Sequence, residues 1–130
     1  MSLFLRRRML IAKCKKKKSK NLFDINSYGE FVDSKKHTYI DLSSYNIGDV
    51  LTISANAEYN FKISNLSGGT ATLQKLGTSM TFTVTEKIKS TPQLYIISVK
   101  TWEPETKENL MDKEVQLEYG NEATPYEPYN

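Results

Sequence analysis

Residues 59–76 read "YNFKISNLSGGTATLQKL". Phe61 and Ile63 alternate with Asn60, Lys62 and Ser64, the period-2 pattern of a strand with one buried face. Ser67, Gly68 and Gly69 then break the chain with residues that turn cheaply, and "TATLQKL" (70–76) runs back. The stretch predicts a β-hairpin, and its neighbours follow the same rule. "KHTYIDL" (36–42), "VLTISAN" (50–56), "MTFTVTEK" (80–87), "LYIISVKTW" (94–102) and "EVQLEY" (114–119) are all strand-like, with Gly77 starting a further turn. Met80, Phe82 and Val84 share one face and three threonines the other. About seven strands are expected at even spacing, which points to an all-β, antiparallel sandwich or barrel. One helical turn is expected within residues 103–113, at "PETKENLM". The expected core is Ile40, Leu51, Ile53, Phe61, Ile63, Leu73, Phe82, Val84, Leu94, Ile96, Val115 and Leu117.

Charge divides the chain in two. The net charge is +3 over 130 residues, but residues 1–20 hold nine Lys or Arg and no acid. Residues 21–130 hold nine basic and 15 acidic side chains, a balance of −6. From Glu103 onward there are eight acids against two lysines. The expected organisation is therefore a basic N-terminal arm (1–20) and a β-sandwich domain (21–130). In the arm, "LFLRRRMLIAK" interleaves apolar and basic side chains, so it can fill pockets while its arginines pair with carboxylates. The expected anchoring residues are Leu3, Phe4, Leu5, Arg6, Arg7, Arg8, Met9 and Leu10. The arm's triple arginine splits its apolar residues into pieces too short for an export signal. No window approaches the roughly 18 apolar residues of a bilayer span, so no spanning segment is expected. The arm's apolar residues could also insert into an anionic membrane surface, but a protein partner is the simpler holder and no membrane partner is expected.

Catalytic chemistry has little support. Asp41, Asp49, Glu86, Glu103, Glu105 and Glu108 are read as loop or solvent-facing acids, not as a pair flanking one glycosidic bond. The single histidine, His37, and the single cysteine, Cys14, offer neither a nucleophile–base pair nor a metal set, and a lone cysteine excludes an internal disulfide. No cofactor and no metal are expected. Sugar binding is the better candidate, since aromatic rings pack on the apolar faces of sugars. Tyr45 and Tyr59, beside turns, and Trp102, at a strand end, are the candidates for glycan contact.

The ending, "VQLEYGNEATPYEPYN" (115–130), supplies a strand, a turn at Gly120–Asn121, and a proline-stiffened tail expected to pack along its own domain or a neighbouring subunit. It resembles the ending of carbohydrate-binding-module-like β-sandwich domains in bacteriophage fibre, baseplate and other virion proteins, which finish roughly "QLE-G--AT-YEPY". Gln116, Leu117, Glu118, Gly120, Ala123, Thr124, Pro125, Tyr126, Glu127, Pro128 and Tyr129 carry the likeness. "NLFDIN" (21–26) and "YIDLSSYNIGDVLTISA" (39–55) are similar to the openings and first strands of such domains. The resemblance covers about 110 residues and is sharpest over the last 15. It implies a jelly-roll-like, non-enzymatic fibre or decoration protein of a phage particle, assembled in the host cytoplasm. Other virion proteins (capsid, collar or tail), further copies of itself and glycans would be its partners. The alternative from another class is a protein whose basic arm contacts packaged DNA; the −6 body makes nucleic acid the weaker partner.

Overall fold

A computed structural model describes residues 19–130. The expected anchoring residues, Leu3 to Leu10, and Cys14 lie outside them. The expected all-β, antiparallel class is what the chain forms. Among the described residues five strands join one sheet: β1 (Ile40–Asp41), β2 (Val50–Ser64), β3 (Leu73–Thr83), β4 (Gln93–Ser98) and β5 (Gln116–Tyr119). Two short helices interrupt them, α1 (Glu86–Ser90) and α2 (Lys107–Leu110). These pairings describe a single sheet and do not by themselves define a jelly roll.

The expected seven strands become five because two pairs of them fuse. Residues 50–56 and 59–64 fall on the single strand β2, since Ala57 and Glu58 between them include no Gly or Pro to turn the chain. Residues 73–76 and 80–83 of the next two runs likewise fall on β3, and Gly77, expected to start a turn, pairs with Tyr59 inside the sheet. Its φ of 153° is a conformation that side-chain-bearing residues rarely adopt.

The fusion carries a bulge. Ser54 faces Ser79 and Tyr59 faces Gly77, so five steps along β2 match two along β3. At this point the other edge of β2 changes partner. Residues 51–54 pair with β5 and residues 59–64 pair with β4, so both strands lie end to end along β2. Asn56 N–H donates to Lys113 O at 2.8 Å, tying the bulge to the loop that feeds β5.

The helices are set by threonine caps. Thr85 accepts from Ile88 N–H at 3.2 Å and Thr106 from Asn109 N–H at 3.2 Å. The turn expected within 103–113 is thus α2. The strand expected over 80–87 stops at Thr83, because Thr85 caps α1 and turns Ile88 into the core.

The core lies on one face of the sheet, where Leu51, Ile53, Phe61, Ile63, Met80, Phe82, Leu94, Ile96 and Leu117 are buried under Phe23, Tyr28, Leu42, Ile88 and Leu110. Two expected core members differ. Ile40 is half-buried, and Leu73 is exposed because it opens the outermost strand with nothing packed beyond it.

Two polar assemblies also tie the sheet to its loops. Near β5, the tail runs back as expected, and it does so along its own domain. Gln116 accepts from Glu127 N–H (2.9 Å) and donates to Thr124 O (3.1 Å), while Glu118 accepts the Thr124 hydroxyl at 2.5 Å. Asn21 completes this clasp with a fully used amide. It donates to Val115 O (3.2 Å) and Glu127 O (2.9 Å) and accepts from Phe23 N–H (2.9 Å) and Leu117 N–H (3.2 Å). Near β4, the buried Asp33 carboxylate accepts from the backbone of Lys35, His37 and Ser67 and from the Tyr95 hydroxyl at 2.9–3.2 Å. Burial would push this carboxyl upward, but those donors outweigh it and hold it at about 2.

Candidate functional site

Beside the short edge strand β1 an open cleft of about 300 Å³ is bounded by three segments. The segment following the clasp contributes Leu22, Phe23, Asp24, Ser27 and Tyr28; Phe31, Tyr39, Ile40 and Asp41 form the second boundary; Ser44 and Tyr45 form the third, with Leu117 of β5 also lining the space. Five of these residues are aromatic, two are aspartates, and none is Lys, Arg or His.

Local rules place each group. Asp24 closes a turn by accepting from Asn26 N–H (3.0 Å) and the Ser27 hydroxyl (2.8 Å). Asp41 does the same with Ser43 N–H (3.1 Å) and the Ser43 hydroxyl (2.8 Å). Both carboxylates are therefore fixed by their own neighbours before any ligand arrives. Tyr28 packs edge-on against Phe23 with centroids 5.5 Å apart and donates to Glu105 O at 3.0 Å. Phe31, 44% exposed, lies tilted 42° to Tyr39 at 6.1 Å. Tyr45 meets Tyr119 edge-on at 5.9 Å.

The phenols stay protonated. Burial, then the carboxylates of Asp41 and Asp33, push Tyr39 above the ordinary tyrosine value. Burial, then Tyr119 and Asp49, push Tyr45 up to about 12. Burial and Glu105 raise Tyr28 as well. The arrangement offers apolar ring surface, neutral phenols and fixed anionic acceptors.

Of the three expected glycan contacts, only Tyr45 lines this cleft. Tyr59 is a core residue, 3% exposed and packed on Phe61 at 6.1 Å, because the turn expected beside it is an uninterrupted strand. Trp102 is 60% exposed but stands on the turn after β4, where its backbone N–H donates to Ser98 O at 2.9 Å. The cleft-forming Tyr28, Phe31 and Tyr39 were not singled out by sequence reasoning. The signal was present as five rings between Phe23 and Tyr45, a density without periodicity.

The fold also brings His37, expected to begin a strand, to groups far from it in sequence. Its Nδ1 lies 2.6 Å from the Ser67 hydroxyl and its Nε2 lies 3.0 Å from Glu103 Oε1. Hydroxyl, imidazole and carboxylate in a row have the order of a hydrolytic triad. Yet Ser67 is buried, and neither the β1 cleft nor the two smaller ones is lined by any of the three. The geometry is that of a pin holding the 33–38 loop and the loop after β4 against the hairpin. Among the described residues no group of three His, Cys, Asp or Glu side chains is placed to hold a metal ion, and no helix is long and apolar enough to cross a membrane.

Compared with protein-family models, with curated proteins and with solved structures, the chain finds no match.

Proposed function

We propose that this chain is a non-enzymatic structural component of a bacteriophage particle, a fibre or decoration protein. Its basic segment, residues 1–20, docks on capsid, collar or tail proteins, and its β domain, of the jelly-roll-like carbohydrate-binding type, is displayed outward as a homo-oligomer to contact glycans. The observation that carries the reading is the division of labour along the chain. Nine cations and no acid precede a domain of net charge −6, and that domain closes on itself at the junction through Asn21. The residues of the ending that carry the virion resemblance are also those that build the clasp: Gln116, Glu118, Thr124 and Glu127. For glycans the support is the cleft, with rings to stack on sugar faces and fixed carboxylates to accept from hydroxyls.

The test is incorporation into particles. The full chain and a version lacking residues 1–20 are expressed during infection by the phage whose genome encodes it, and purified particles are blotted for each. The full chain is expected on particles and the truncated one, still folded by circular dichroism, in the soluble fraction. Equal decoration by both would end the anchoring idea. Retention of both on DNA and neither on particles would favour the nucleic-acid alternative.

A further inference from the structure

We infer that the β1 cleft takes an uncharged sugar of one or two rings and rejects acidic sugars, with Asp24 and Asp41 as the discriminating groups. This rests on the glycan-binding part of the proposed function and names the class of sugar.

Three observations converge. The volume, about 300 Å³, sits at the small end of small-molecule sites, which suits one or two rings. Phe31 and Tyr39 are tilted by 42° and Phe31 is 44% exposed, so together they form a platform on one side instead of a closed box. An aromatic box that surrounds its ligand is the arrangement that favours a quaternary cation; a platform suits the flat apolar face of a pyranose.

The decisive observation is charge. Neither Asp24 nor Asp41 takes part in an ion pair among the described residues. Each of their oxygens accepts one bond from its own turn, which leaves acceptor capacity for a ligand hydroxyl. Two ammonium groups are tethered to main-chain carbonyls of the rim segments and are not among the residues that line the cleft. Lys89 Nζ donates to the carbonyls of Ser43 and Tyr45 at 2.7 and 2.6 Å, and Lys107 Nζ to the carbonyl of Asn26 at 3.3 Å. A carboxylate brought in by a uronic or sialic acid would meet two like charges and no cation among the lining residues, which is how a site rejects the wrong ligand.

The test uses the full-length protein, labelled with nitrogen-15, titrated with methyl glucoside, methyl galactoside and N-acetylglucosamine, with glucuronate and galacturonate, and with choline. Amide shifts of Phe31, Tyr39 and Ser44 report on the cleft separately from any binding of acids to the basic segment. At least one neutral sugar is expected to move these signals, with uronates at least about tenfold weaker there. Asp41→Asn and Asp24→Asn, which keep the turn-closing oxygen, should narrow that gap, and Phe31→Ala should abolish the neutral-sugar response. Uronates binding the cleft as tightly as neutral sugars would overturn the charge rule while leaving glycan binding in place, as would a gap unmoved in folded Asn variants. No sugar at the cleft would overturn both. Preference for choline would make this a cation site and overturn the inference. If the Asn variants fail to fold, the wild-type ratio and Phe31→Ala decide.

Discussion

Glu127, three residues from the end of the chain, donates its backbone N–H to the side-chain oxygen of Gln116 at 2.9 Å. That bond, with Thr124 on Glu118 and Glu127 O on Asn21, makes the ending part of the domain. Removing residues 123–130 is expected to lower the melting temperature, since the buried Gln116 and Glu118 keep their mutual bond at 2.9 Å but lose those to Thr124 and Glu127. An unchanged melt would show that the tail adds nothing to the fold.

Asn21 is the most heavily used side chain of the clasp. Asn21→Ala is expected to cost roughly 2–4 kcal/mol, because it strands several buried backbone groups at once. Ser19→Ala, which removes the acceptor of the Asn21 N–H at 3.0 Å, should cost less, about 0.5–1.5 kcal/mol. Urea melts of the two variants compare them directly.

Phe82 and Thr83 are adjacent on β3 but face opposite sides of the sheet. Phe82 is 4% exposed and pairs with Leu51; Thr83 is exposed. Phe82→Ala is expected to cost roughly 3–5 kcal/mol, and Thr83→Ala far less. Equal losses in urea would contradict the register.

The Asp33 carboxyl predicts an acid-sensitive step. Its value falls from 3.8 to about 2 on folding. The unfolded chain therefore holds the proton more tightly, and the stabilisation is complete above the unfolded value. It is lost as pH drops through the window from about 4 to about 2. Asp33→Asn should weaken the fold at neutral pH and flatten the slope of stability against pH in that window, measured by urea melts at a series of pH values.

Trp102 has φ of 59°, a conformation that costs a bulky side chain about 1–2 kcal/mol and that asparagine tolerates. With its ring largely in solvent, Trp102→Asn is expected to raise stability by up to about 1 kcal/mol. The same variant should leave sugar responses at the β1 cleft unchanged. A loss of sugar response would restore Trp102 as a contact.

These residues show what the sequence could and could not convey. The alternation around Phe61, Ile63 and Phe82 was legible because one face of each strand is buried and nothing else produces period 2. The fusion of strands was not. Gly77 looks like a turn in one dimension, and only pairing with Tyr59 makes it part of a strand. Tyr59 was misplaced for the same reason, since its burial depends on the strand continuing past Ala57. α1 was hidden by "TVTEK", whose threonines read as strand until Thr85 acts as a cap. The cleft was least legible, because its rings come from loops, where position is set by hydrogen-bonded turns and carries no period.

The described chain begins and ends at one place: Ser19 N–H donates to the side-chain oxygen of Asn130 at 2.8 Å. In mechanical terms, both ends of the described segment are fastened at one pole of the domain. A pull applied at Ser19 enters at the pole that also holds Asn130, and it is met first by the bonds of Lys20 and Asn21 to Glu127. Tension between Ser19 and Asn130 would load that pole alone, while the long strands β2 and β3 lie beyond it without being stretched end to end.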